Sequence, residues 1–223
     1  RVLRLQPTHP EAALKLENLL NQQQNNSHLQ VHQVSSLEQS KKYLENLSKI
    51  ALEVFLNTGS QIIFPEIENP LISIILILHN RAELTLSCLN SILKNSFSSF
   101  EVVIVDNCST DKTQQLLSQI QGVNIIFNPE NYHYLLACNQ AAKLAKGDFI
   151  LFLNNDAQIL GNSITAAVET IKSSDNIGAV GGKIIFPDGT LQEAGSIIWQ
   201  DGSCFCYGRG HSPIAPQYMF RRS

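Results

Sequence analysis

The chain has 223 residues, a formal net charge of -3 and 16 % charged residues, so it offers neither a basic field for nucleic acid nor an acidic tail. Its length suits one ordinary domain with a small appendage. The five cysteines, Cys88, Cys108, Cys138, Cys204 and Cys206, are odd in number and no secretory signal opens the chain, so reduced thiols and a cytoplasmic location are expected. Cys204-Phe-Cys206 is spaced too tightly for zinc and reads as structural. No apolar run approaches the ~20 residues that cross a bilayer. Arg1 at one end and Arg221-Arg222-Ser223 at the other look like cuts in a longer protein.

Residues 1–60 are rich in Leu, Gln and Asn and read as a helical leader. Pro10-Glu11 is a good helix start, and Leu16, Leu19 and Leu20 then share a face as far as Gln22-Gln23-Gln24. Residues 21–35 are polar and without period, and read as a link. Leu37, Leu44, Leu47, Ala51 and Val54 recur at helical intervals, and Gly59 is placed to end that helix. The segment from Leu5 to Leu14, with Pro7 and Pro10, resembles the junction between tetratricopeptide repeats. The leader is thus either the end of such an array or an amphipathic element packed on the main domain.

Residues 61–70 read as a linker. Beyond it, strand and helix alternate: Ile72–Leu78 as strand, 82–95 as helix, Val102–Val105 as strand, and Asp111 to Ile120 as helix. Val123–Phe127, a helix near Leu135–Ala145, the strand Phe149–Leu153 and a helix after Gly161 follow. A strand pair around Gly178–Phe186 and a turn at Pro187-Asp-Gly-Thr190 complete the series. Strands separated by amphipathic helices predict an α/β fold with a mostly parallel, Rossmann-like sheet. Phe149–Leu153 is a continuous apolar run and is expected to be buried on both faces.

A parallel sheet gathers its strand ends on one rim, where ligands bind. Three ends carry polar residues: His79-Asn80-Arg81, Asp106-Asn107-Cys108-Ser109-Thr110-Asp111 and Asn154-Asn155-Asp156. Asp106 directly follows a buried run, where its carboxylate can accept hydrogen bonds from a base or ribose. Ser109, Thr110 and Asp111 read as helix caps. Asn154-Asn155-Asp156 is either a cation-holding strand end or a polar turn with Asx capping. There is no Gly-x-Gly-x-x-Gly after the first strand and no Walker loop, which argues against dehydrogenases and P-loop enzymes.

Three segments together carry a family resemblance: Ser73-Ile-Ile-Leu-Ile-Leu-His-Asn-Arg81, Glu101-Val-Val-Ile-Val-Asp-Asn-Cys-Ser-Thr-Asp111 and Gly147-Asp-Phe-Ile-Leu-Phe-Leu-Asn-Asn-Asp156. They resemble family-2 glycosyltransferases of the A-type (GT-A) nucleotide-sugar fold, in the bacterial, rhamnosyltransferase-like branch. Ala137-Cys-Asn139, Gly181-Gly-Lys-Ile-Ile-Phe-Pro-Asp-Gly-Thr-Leu-Gln-Glu-Ala-Gly195 and Tyr207-Gly-Arg-Gly210 fit the same branch. The likeness runs in order from residue 71 to about 218.

The resemblance implies metal-assisted, inverting transfer of a sugar from a UDP-, dTDP- or GDP-linked donor to a glycan or lipid-linked acceptor. Residues 71–223 would be the donor-binding part, with peripheral association at the inner face of the plasma membrane. It places His79, Asn80 and Arg81 at the nucleotide, Asp106 at the nucleobase and Asn139 near the sugar-diphosphate. Asn154 and Asp156 take the two Asp-x-Asp places, with Asp156 as the main ligand of Mg²⁺ or Mn²⁺. The family's general base is commonly in a Glu-Asp pair well beyond Tyr207-Gly-Arg-Gly210. The chain stops about thirteen residues after Gly210, so that base is expected to be missing and the catalytic residue is unassigned. The alternative is a module that binds nucleotide-sugar or a partner without turnover.

Overall fold

The computed structural model describes residues 36–95 and 99–219. The readings for residues 1–35, including the first helix and the repeat-like segment, lie outside them. Helix α1 spans Ser36–Asn57. Gly59 follows it at φ 64, a left-handed conformation in which glycine escapes the Cβ clash. Its buried face differs from the expected one: Leu52 and Leu56 enter the core, whereas Ala51 is exposed. Two apolar stripes overlap on this helix, and the one with the larger side chains at its C-terminal end buries more surface.

The main sheet has four strands: β2 (Ile72–Leu78), β3 (Phe100–Asp106), β5 (Asn124–Phe127) and β6 (Phe149–Asn154). Their spatial order is β5-β3-β2-β6 and every pairing is parallel. The two central strands are runs of Val, Ile and Leu, side chains that suit a sheet covered on both faces. On one face Ile72, Ile74, Leu76 and Leu78 pack with Val102 and Ile104 against helix α2 (Ala82–Lys94), with Leu52 and Leu56 of α1 behind it. On the other, Ile75, Val103 and Val105 meet Ala137 and Ala141 of helix α4 (His133–Ala142).

Strand β6 departs from expectation. Its burial alternates, and Ile150 and Phe152 are 42 % and 51 % exposed. The order of strands puts β6 at an edge, and α4 lies over β2 and β3, which leaves that side of β6 half open.

Helix α3 is short, Thr113–Leu117. The chain leaves it early because Ile120 enters β4 (Ile120–Gln121), which pairs in parallel with β1 (Ile62–Ile63). Ile62 and Phe64 are thereby buried in the main core. After helix α5 (Ser163–Ile171) the expected strand pair around Gly178–Phe186 is reduced to β7 (Ile184–Ile185). Gly178, Gly181 and Gly182 precede it; glycine brings no side chain to a ladder and loses the most backbone freedom there. The turn at Pro187–Thr190 does join β7 to β8 (Leu191–Glu193), and β9 (Ser196–Ile198) pairs with β10 (Cys204–Cys206). No helix among the described residues is long and apolar enough to cross a membrane.

Candidate functional site

The register brings the three polar strand ends side by side. Leu78 is opposite Asp106 and Ile77 is opposite Asn154, so the residues that follow β2, β3 and β6 meet on one rim. Asn80 joins them. Its backbone N–H donates to Ser109 Oγ at 2.8 Å, and its Oδ1 accepts from Thr110 N at 2.8 Å and Asp111 N at 3.3 Å. Its carbonyl accepts from Asn155 Nδ2 at 3.3 Å.

Asp106 is 1 % exposed. Its Oδ1 accepts from Ser109 N at 3.0 Å, and its Oδ2 is buried with no hydrogen-bond partner. An orphaned buried acceptor is costly and marks a place where a polar partner is missing. Beside it Asn107 is a buried hub. Its Nδ2 donates to Asn131 Oδ1 at 2.8 Å, while its Oδ1 accepts from Tyr132 N at 2.9 Å and Asn128 Nδ2 at 3.1 Å. Asn128 and Gln140 exchange two further bonds, both 3.0 Å. This amide network holds the loop before α4 against the end of β3. Sequence reading missed it; the density of Asn between residues 124 and 139 was the available signal.

Four non-glycine residues among those described have positive φ: Asn80 (64), Arg81 (65), Cys108 (65) and His133 (59). All four lie on this rim. Left-handed backbone at residues with a Cβ persists only where the surroundings impose it, and it concentrates at functional sites.

His79 is exposed, with Nδ1 3.0 Å from the Asn107 carbonyl oxygen. Arg81 donates through Nε to Glu83 at 3.0 Å and through Nη2 to Glu45 of α1 at 3.1 Å. The Glu83 hydrogen bond, then the charges of Glu83 and Glu45, hold the guanidinium pKa above its ordinary value despite partial burial. Asn139 is exposed on α4, beside the buried Cys138. Asn154 and Asp156 are exposed at the end of β6, and Asn155 is turned inward to Thr85 Oγ1, 3.0 Å away. Beneath them Cys88 has its thiol pKa pushed up to about 12, by burial first and then by the Asp156 charge.

Asp111 caps two helices at once, as its reading as a cap anticipates, whereas the Ser109 and Thr110 hydroxyls, read the same way, bond to Asn80 instead. Its Oδ2 accepts from Ala82 N at 3.0 Å, the first turn of α2, and its Oδ1 accepts from Thr113 N at 2.9 Å and Thr113 Oγ1 at 2.6 Å. Burial raises the Asp111 pKa, but these bonds outweigh it and the net value lies below the ordinary one.

No group of three or more His, Cys, Asp or Glu among the described residues is arranged to hold a metal ion. Asp156 and Asn154 alone supply one carboxylate and one amide, both in contact with solvent. That oxygen-only pair fits a hard cation such as Mg²⁺ or Mn²⁺ that keeps waters and shares phosphate oxygens, not a cation caged by protein. Two of the late carboxylates are committed to turns: Asp188 accepts from Thr190 N at 2.9 Å and Asp201 from Ser203 N at 2.9 Å, each closing its own turn. A cavity of about 470 Å³ lined by Glu66, Glu68, Glu101, Asn124 and Lys146 lies near the start of β3, at the opposite end of the strands.

The chain is 34 % identical over 145 residues to the O-antigen biosynthesis protein RfbC of Myxococcus xanthus, covering 62 % of this chain and 11 % of that protein. It is 34 % identical over 101 residues to the putative colanic acid biosynthesis glycosyl transferase WcaA of Escherichia coli, covering 44 % and 36 %. The chain therefore spans about a third or less of the length of these curated relatives. Among solved structures, Staphylococcus aureus TarS (residues 1–349) is similar at 30 % identity and TM-score 0.41, covering 45 % of this chain and 32 % of that one. The mannosyltransferase PcManGT of Pyrobaculum calidifontis, solved with GDP-Man and Mn²⁺, is 20 % identical with TM-score 0.43, covering 62 % and 45 %. The model of glycosyl transferase family 2 matches residues 73–218, a span that begins within β2 and takes in every rim residue described above. With its parallel sheet of GT-A type and that match, the chain belongs to glycosyl transferase family 2.

Proposed function

We propose that this protein transfers a sugar from a nucleotide-diphospho-sugar to a glycan or lipid-linked acceptor, with inversion at the anomeric carbon. The observation that carries the reading is Asp106, whose buried Oδ2 lacks a partner on the rim where three strand ends meet. A nucleobase or ribose donor would satisfy that oxygen. Family membership supports the reaction type. The relatives named for O-antigen and colanic acid biosynthesis support a surface polysaccharide as product. One relative, WfaP of Escherichia coli, is named as a glucosyltransferase acting on a diphosphoundecaprenol-linked sugar, which supports a lipid-linked acceptor at the inner face of the plasma membrane.

In this reading Asp106 orients the base, Asn80 fixes the loops around the nucleotide, His79 lines the nucleotide and Asn139 lies near the sugar-diphosphate. A bound Mg²⁺ or Mn²⁺ would supply charge stabilisation at the departing diphosphate. Asp156 and Asn154 would hold it from the protein side. Arg81 acts through Glu45, as a tie between the nucleotide loop and α1. Residues 71–223 form the donor-binding part and 1–60 a helical leader. The motif likeness supports transfer of the hexosyl or rhamnosyl type.

The test is calorimetric titration of the protein with UDP, dTDP and GDP, with and without Mn²⁺, beside an Asp156→Ala variant. Nucleotide binding that Mn²⁺ strengthens, and that loses this response in the variant, is expected. A folded protein that binds none of the three nucleotides would overturn the reading.

A further inference from the structure

One strip of α2 carries polar side chains that an amphipathic helix against a core does not need. Thr85, Cys88 and Ser91, with Asn95 capping the C-terminal end of the helix, are spaced by three, three and four residues, which sets them along one side. Each is bonded to the end of β6 or to the turn that follows it. Asn155 Nδ2 donates to Thr85 Oγ1 at 3.0 Å, and the Cys88 thiol donates to the Asn154 carbonyl at 3.7 Å. Ile159 N donates to Ser91 Oγ at 2.9 Å, and Asn95 Nδ2 donates to the Ile159 carbonyl at 2.9 Å. Ser91 Oγ in turn donates to the Cys88 carbonyl at 2.7 Å. Thr85, Cys88 and Ser91 are buried, whereas Asp156, between the bonded ends of the turn, is exposed.

An exposed carboxylate whose flanks are held by buried hydrogen bonds has its backbone fixed and only its side chain free to meet a ligand. Removing such bonds is expensive, because the partner left behind stays buried. Groups that orient a metal ligand from behind govern affinity almost as strongly as the ligand itself.

We propose that Thr85, Cys88 and Ser91 are positioning residues that set Asp156 for the metal-diphosphate through the Asn154–Ile159 turn. The inference rests on the reading of Asp156 as the metal ligand given above. It assigns a role to a buried face of α2 that lies behind the rim.

The test uses the full chain with UDP and GDP as probes, with and without Mn²⁺, in Thr85→Val, Thr85→Ser and Ser91→Ala, with thermal unfolding measured alongside. Thr85→Val and Ser91→Ala should weaken Mn²⁺-dependent nucleotide binding about 10- to 100-fold and leave Mn²⁺-free binding unchanged. Thr85→Ser, which keeps the hydroxyl, should restore wild-type binding. Equal losses with and without Mn²⁺ would show general damage and overturn the role, as would variants that bind like wild type. If Ser91→Ala does not fold, the Val and Ser variants at Thr85 decide. A wild-type protein that binds nucleotide without responding to Mn²⁺ would remove Asp156 as a metal ligand, and the positioning role with it; a responsive wild type matched by its variants removes the positioning role alone.

Discussion

Asn155 donates through Nδ2 to the carbonyl of Asn80, 75 residues earlier, at 3.3 Å. The bond ties the end of β6 to the end of β2, and Asn80 passes the connection on to Thr110 and Asp111 after β3. Asn80 also sits at φ 64. Its replacement therefore separates two effects. Asn80→Gly keeps the left-handed backbone, loses the side-chain acceptor at a cost of about 1–3 kcal/mol and sheds the Cβ strain that Asn80 itself carries. Asn80→Ala loses the same acceptor but keeps that clash, so it should fall about 1–2 kcal/mol below the Gly variant. Urea unfolding of the two variants should rank Ala below Gly, the reverse of the usual helix and sheet order.

Asp106→Asn is expected to behave oppositely in stability and in binding. The free protein carries an unpaired buried carboxylate oxygen there, so neutralising it should change unfolding free energy by no more than about 1 kcal/mol. Nucleotide affinity should fall at least about tenfold, the loss of one charge-assisted hydrogen bond. Paired denaturation and calorimetry would check it; a large stability loss with intact binding would point to a purely structural Asp106.

Asp111 gives a pH signature. Its folded-state pKa is depressed by the bonds from Ala82 and Thr113. The stabilisation is thus fully present above the ordinary Asp value, near 3.9, and is lost as pH falls through the lower folded-state value. Asp111→Ala should cost about 1–2 kcal/mol at pH 7, as a lost helix cap does. The gap between variant and wild-type melting temperatures should close in acid. A gap that persists unchanged to pH 2 would show that the charge is not what caps the helices.

Gly147 sits where β6 begins, directly against β2. A Cβ there would come within 2.6 Å of Ser73 N and 2.7 Å of the Ile72 carbonyl carbon. Both are backbone atoms and neither can swing away. The same glycine donates its N–H to Ser73 Oγ at 2.8 Å, and Ser73 donates to Glu101 at 2.6 Å. Gly147→Ala should cost about 1–3 kcal/mol or more as overpacking, and circular dichroism melts would register it. Ile150 and Phe152 offer the contrast: their exposed faces should accept Ile150→Thr and Phe152→Thr with little loss of melting temperature and a gain in solubility.

Much of this was legible in the sequence. β2 and β3 announced themselves because long β-branched runs have few other uses, and Asp106 because a carboxylate follows one of them. What failed was information held by neighbours. Phe149–Leu153 has the same composition as a fully covered strand, yet its exposure depends on where α4 lies, and α4 packs on β2 and β3. The face of α1 was misjudged because Leu44, Leu47 and Ala51 form as good a stripe as Ser48, Leu52 and Leu56; the Ser48–Ser87 contact at 3.1 Å lies with the second. The Asn107 network and the polar strip of α2 join residues far apart in the chain, and each member alone looks like an ordinary loop or helix residue.

The four left-handed residues on the rim have a kinetic corollary. Each such conformation costs on the order of 1–3 kcal/mol, and that cost has already been met by the folded chain at Asn80, Arg81, Cys108 and His133. On the proposed reading, a nucleotide would meet loops whose backbone strain the folded chain already carries. Its capture should accordingly be a single exponential whose rate rises linearly with nucleotide concentration, without a slower isomerisation behind it.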